Sequence, residues 1–123
     1  MPSTPSIPHF YALARQLDEI LNREGLEKRW ERHAKMRDLT IERTSAYARP
    51  AGDRKHASPT VSALEPSVKT PDAIRNDMKK RGFTLGGGYG DWKLNTFRIG
   101  HMGDISIESL SRMLDVLSEV AGA

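Results

Sequence analysis

The sequence predicts an α+β fold, a three- or four-stranded, mainly antiparallel sheet with helices packed on one face. Three observations lead there. Apolar residues recur at three- and four-residue steps at both ends of the chain, as Phe10, Leu13, Leu17, Ile20 and Leu21, and as Leu110, Met113, Leu114, Leu117 and Val120. Between them lie short runs typical of strands, "TVSAL", "FTL" and "TFRI", bounded by glycine and proline. The resulting order is helix, helix, weak strand, strand, helix, strand, strand, helix, which such a sheet with its helices on one side satisfies.

The first segment, "TPSIPHF", carries Pro5 and Pro8 and reads as an extended arm over residues 1–8. Residues 9–123 then read as one domain. A helix is expected from His9, stopped by Gly25, because glycine takes the left-handed C-terminal cap without steric cost. A second helix is expected from Leu26 through Trp30 and Met36 towards Thr40, with His33 on its solvated face. Ala46–Arg49 offers a short weak strand and Thr60–Leu64 a better one. "TPDAIRNDMKKRG" is punctuated as a helix: Thr70 caps it, Pro71 suits the first position, Asp72 favours the positive end and Gly82 closes it. Phe83–Leu85 and Thr96–Ile99 are the remaining strands, and the last helix is expected from near Ser106.

Composition bounds the function. The chain has 123 residues, with 37% hydrophobic and 28% charged, as expected for one folded domain. No run approaches the ~20 apolar residues of a membrane-spanning helix, and no signal-peptide pattern opens the chain. There is no cysteine, so neither disulfides nor thiolate chemistry is available, and a cytoplasmic location is expected. The net charge of +3 is concentrated between Arg23 and His56, where Glu24, Glu27, Glu31, Asp38 and Glu42 are interleaved. Mixed signs at helical spacing describe an ion-paired, solvated face rather than a track for phosphates, which argues against nucleic-acid binding. The histidines His9, His33, His56 and His101 lack metal-ligand spacing, so no metal site is expected.

Two features could carry chemistry. "GGGYG", Gly86–Gly90, follows a strand as phosphate loops do, but no helix follows it and no Lys-Ser or Lys-Thr pair closes it. Its glycines are then required either for positive φ or for a close approach of the backbone to something else. The second feature is Arg98, between Phe97 and Ile99. Alternation places Arg98 with Thr96 and Gly100 on one face and the apolar pair on the other. It is either an ordinary solvent-facing arginine or a fork of donors aimed at a carboxylate, with small residues leaving room in front of it. His101, just after this strand, either lines such a site or hydrogen-bonds within its loop.

These residues also resemble a known family. "FTLGGGYGDWKLN" followed by "TFRIGHMGDISIESLSRML" is similar to the C-terminal small domain of class V, fold-type I, pyridoxal-phosphate aminotransferases, in the alanine–glyoxylate and serine–pyruvate branch. "TPSIPHFYALARQLDEIL", "EGLEKRWERHAKM" and "SPTVSAL" resemble further stretches of that branch in the same order. The resemblance implies that Arg98 binds a substrate α-carboxylate and that Thr4 reaches the cofactor phosphate of a neighbouring subunit, with Pro2 and Ser3 standing where relatives often carry an aromatic hydroxyl. It implies that the glycine turn, with Gly87, Gly88 and Tyr89, lies by the site entrance, where His101 is the further candidate lining residue by its position. The implied reaction moves an amino group between a small amino acid and a 2-oxo acid, in a homo-oligomer. None of Lys28, Lys35, Lys55, Lys69, Lys79, Lys80 or Lys93 stands in the family's Schiff-base context. The expectation is therefore a chain without its own catalytic lysine, inactive alone and binding no pyridoxal phosphate, with a large cofactor domain missing or acting in trans. The alternative expectation is a non-catalytic binding or assembly module that keeps the fold.

Overall fold

The computed structural model describes residues 5–122, and the backbone falls into two compact units, residues 1–32 and 33–123. In the first unit, helix α1 spans Ile7–Asp18 and runs into a π-helical segment, Glu19–Glu24. The helix begins two residues earlier than the sequence suggests, because Pro8 lies in its first turn, where a missing N–H costs nothing. Gly25 ends the π-helical segment at φ 87° and donates its N–H to Ile20 O at 3.0 Å. Helix α2, Leu26–Thr44, starts immediately after. The Glu24 carboxylate faces its first turns, accepting from Arg32 Nε at 2.6 Å and Arg29 Nη1 at 2.7 Å. Its hydrogen bonds to Arg32, and then to Arg29, pull the Glu24 carboxyl down to about 2. The stabilisation linked to that shift is complete above the ordinary glutamate range and is lost as pH falls towards 2.

In the second unit four strands form one antiparallel sheet in the order β1-β2-β4-β3. They are β1 Ala48–Pro50, β2 Val61–Pro66, β3 Gly86–Gly87 and β4 Phe97–Gly100. Strand β2 pairs with β4 in the register Ser62↔Ile99, Ala63↔Arg98 and Leu64↔Phe97, while β3 sets Gly86 opposite Arg98. Residues paired across an antiparallel ladder share a face. Leu64, Phe97 and Ile99 therefore form the covered side and are fully or almost fully buried, whereas Arg98 stands on the other side, exposed.

Helix α3, Pro71–Lys80, and helix α4, Ile107–Ala121, supply the cover. Thr70 Oγ1 accepts from Ala73 N at 3.3 Å and caps α3, and Ser106 Oγ accepts from Ser109 N at 3.2 Å and caps α4. Burial of Ile74 and Met78, and of Leu110, Met113, Leu114, Leu117 and Val120, follows the helical period read from the sequence. The second half of α2 adds Met36 to the same core. Its buried hydroxyls are satisfied along the helix, Thr40 Oγ1 donating to Met36 O and Thr44 Oγ1 to Thr40 O, both at 2.8 Å.

Two expectations are corrected. Phe83–Leu85 is not a strand: Phe83 N bonds Met78 O at 3.0 Å to finish the turn after α3, and Leu85 O accepts from Arg75 Nε at 3.4 Å. The ladder falls instead on the two glycines that follow. His33 is buried rather than solvated, since it lies three residues before Met36 on the inward face of α2. The charged run does form ion pairs as read, including Arg37–Asp38 and Arg43–Asp115. Among the described residues no helix is long and apolar enough to cross a membrane, and no group of His, Asp or Glu could hold a metal ion.

Phe97 is fully buried at the centre of the sheet. Phe97→Ala is expected to destabilise the fold by about 3–5 kcal/mol, the range for emptying a large aromatic site, as measured by urea unfolding.

Candidate functional site

The β3–β4 hairpin organises the open face. Gly86, Gly87 and Gly88 do not have positive φ, whereas Gly90 does, at 56°. Positive φ is thus excluded for the first three, and close approach applies at Gly88 and, less tightly, at Gly87. A Cβ on Gly88 would lie 2.0 Å from Trp92 O and 2.4 Å from Thr96 Oγ1. A Cβ on Gly87 would meet Arg75 Nη1 at 3.2 Å, on the helix-covered side. On the open side a Cβ on Gly86 would meet Arg98 Cβ and Nε at 3.4 Å. Threonine 96, buried, closes the loop by donating Oγ1 to Trp92 O at 2.8 Å, while Gly88 N donates to Thr96 O at 3.1 Å.

Arg98 lies over this strand, donating Nε to Gly87 O at 2.6 Å. It forms no ion pair among the described residues, so its guanidinium is fixed at one atom and still presents both terminal nitrogens. Its neighbours in the ladder are Ala63 and Gly86. A cavity of about 300 Å³ opens where β1 stops short of the start of β2; Ile41, His56, Ser62, Ala63, Leu64 and Trp92 are among its lining, and Arg98 is not. Trp92 approaches Gly52 of the β1–β2 connection. The setting is a cationic donor fork beside Ala63 and Gly86, a group whose geometry suits a planar anion.

Other sequence-derived candidates are distributed differently. Gly87 and Gly88 adjoin Arg98 through the hairpin, and Tyr89 projects outward, 84% exposed. His101 is on the opposite, helix-covered side, fully buried, with Nε2 2.9 Å from Ser62 Oγ. The structure does not bring it to the Arg98 face. Burial pushes its pKa below the ordinary range, and the nearby His33 and Arg37 add to this, against opposing backbone hydrogen bonds. Thr4 lies outside the described residues. The contacts of Gly86, Thr96 and Arg75 around the hairpin are not legible in the sequence. The only trace of them there is the triple glycine and the two-residue spacing from Thr96 to Arg98.

No protein-family model matches the chain. It is 34% identical over 122 residues to "Soluble hydrogenase, small subunit" of Synechococcus sp. (strain PCC 6716), a match covering 97% of this chain and 31% of the relative. It is 31% identical to the serine–glyoxylate aminotransferase of Methylorubrum extorquens, over 99% of this chain and 30% of that one. Among solved structures, the alanine–glyoxylate aminotransferase of Nostoc sp. superposes with a TM-score of 0.85 at 27% identity, covering 98% of this chain and 33% of that one. The pyridoxamine–pyruvate aminotransferase of Mesorhizobium loti gives 0.84 at 29% identity, over all of this chain and 33% of the other. The chain thus spans about a third of the length of the curated relatives it matches.

Two outcomes follow from the geometry. Gly88→Ala is expected to cost about 1–3 kcal/mol by overpacking, lowering the urea midpoint. Because the depressed pKa of His101 makes the unfolded state take up its proton first, stability is expected to be full above pH ~6.5 and to fall as pH drops below it, through the lowered folded pKa. Urea midpoints measured across that window should show the decline, and His101→Gln should flatten it.

Proposed function

Since the chain belongs to the class V aminotransferase family and has the fold of its small domain, we propose that it supplies the substrate-carboxylate half of an amino-acid site. The whole reaction is then transfer of an amino group between a small amino acid and a 2-oxo acid, dependent on pyridoxal phosphate. One observation carries this reading: Arg98 is exposed, tethered through Nε to Gly87 O, and not neutralised by any described carboxylate.

The residues present do not themselves fit the cofactor. Pyridoxal phosphate needs an amine for its aldehyde, but the ladder neighbours of Arg98 are Ala63 and Gly86. Lys69 is turned to Val120 O and Lys80 to Asp77. Bond breaking at the amino carbon is therefore assigned to the part of the enzyme that these residues do not span, whether joined to this chain or acting in trans. The contribution of Arg98 is to hold the carboxylate so that the neighbouring carbon is presented in one orientation, which lowers a barrier through geometry rather than through proton transfer. The 123-residue chain alone binds but does not transaminate, and the compartment that suits it is the cytoplasm.

The stripe Ile7, Phe10, Leu13, Leu17 and Leu21 on α1 and its π-helical extension is 43–60% exposed. It supports a second reading, in which the chain is an assembly module that pairs with further copies or with a separate large domain. Light scattering is expected to show concentration-dependent self-association, and a monomer at every concentration would remove this reading.

Isothermal titration with pyruvate tests the principal reading. Binding is expected for the wild-type chain and a loss of at least tenfold for Arg98→Ala, the scale of one charged hydrogen-bonded contact. Equal affinities would refute the assignment. Added pyridoxal phosphate is expected to give no saturable absorbance change.

A further inference from the structure

We propose that β3 and Thr96 are a positioning device that dictates which edge of Arg98 meets a carboxylate: the end bearing the two terminal nitrogens, and not the side bearing Nε. The ligand class rests on the carboxylate-anchor reading above; the geometry rests on the hairpin alone.

A guanidinium can grip a carboxylate bidentately along two edges, through both Nη atoms or through Nε and one Nη. Here Nε is already committed to Gly87 O at 2.6 Å. The side chain lies on Gly86, whose absent Cβ would sit 3.4 Å from Nε and 3.7 Å from Nη2. The terminal pair is the edge left without a hydrogen bond among the described residues.

The accepting carbonyl is itself held. From the covered side Arg75 presses on Gly87, with Nε bonded to Leu85 O at 3.4 Å and Nη1 to Asp72 Oδ1 at 2.8 Å. From the loop side Thr96 binds Trp92 O through both Oγ1, at 2.8 Å, and its backbone N–H, at 3.1 Å. That contact brings Trp92 O so near Gly88 that no side chain fits there. The two-residue strand is thus gripped between guanidinium groups on opposite faces, and its end is locked by a buried hydroxyl. Thr96 and Gly86 act through Arg98 and are positioning residues.

Arginine side-chain ¹⁵N NMR on the full chain, with pyruvate as the probe, reads this directly. The Arg98 Nε–H signal is expected to be resolved and protected from exchange without ligand, and to stay so when pyruvate shifts the terminal nitrogens. Gly86→Val is expected to weaken pyruvate binding about tenfold, the scale of one charged hydrogen bond. Its unfolding midpoint should not fall, because valine suits an exposed strand position better than glycine. Thr96→Val keeps the shape but loses the hydroxyl, and should move the Nε signal towards that of free arginine. An unprotected Nε in the wild type, loss of its protection on adding pyruvate, or unchanged affinity in Gly86→Val would each overturn the proposal. A protected Nε with no pyruvate binding would uphold the positioning device and defeat the anchor reading; pyruvate binding with an unprotected Nε would do the reverse.

Discussion

The contact from Arg98 Nε to the carbonyl of Gly87, 2.6 Å long, joins the fold to its candidate chemistry. An unrestrained arginine on an open sheet face samples many rotamers, and ordering it around a ligand would cost rotamer entropy at the moment of binding. Here the ordering is done by the hairpin. β3 offers the Gly87 carbonyl to that contact, and it keeps its place because Thr96 and Gly88 meet Trp92 O so closely. The apolar core below contributes through Phe97 and Ile99, which flank Arg98 in sequence and anchor its strand from the other face.

Much of this architecture could be read from residue pattern. The five inward positions of α4 follow the helical period, and α3 starts and stops where Thr70, Pro71 and Gly82 indicate, because caps and periodicity are local signals. The open-face placement of Arg98 follows from alternation alone. What could not be read depends on partners distant in the chain. Phe83–Leu85 has strand composition, yet the helix end and Arg75 claim its backbone groups, and the ladder moves to residues that local propensity disfavours. His33 looks solvated among charges until the tertiary fold turns that face of α2 inward. Nor could the sequence decide between positive φ and close approach for the glycine run; the backbone angles and, at Gly88, the position of Trp92 O do so.

The matches to aminotransferases and the geometry of the hairpin are independent lines of support. Similarity over about a third of each relative identifies the fold and the family. The exposed, tethered and unneutralised arginine is the observation on which the proposed carboxylate anchor rests. Neither line requires the chain to hold the cofactor.

The lengths of the outer strands have a further consequence. β1 has three residues and ends in Pro50, and β3 has two before the chain turns into the tight bend at Gly90–Trp92. Neither margin of the sheet offers a run of free backbone donors and acceptors long enough to template a foreign strand. This unit is poorly suited to growth by sheet extension, so any larger assembly built from it has to be joined through side chains rather than through the peptide ladder.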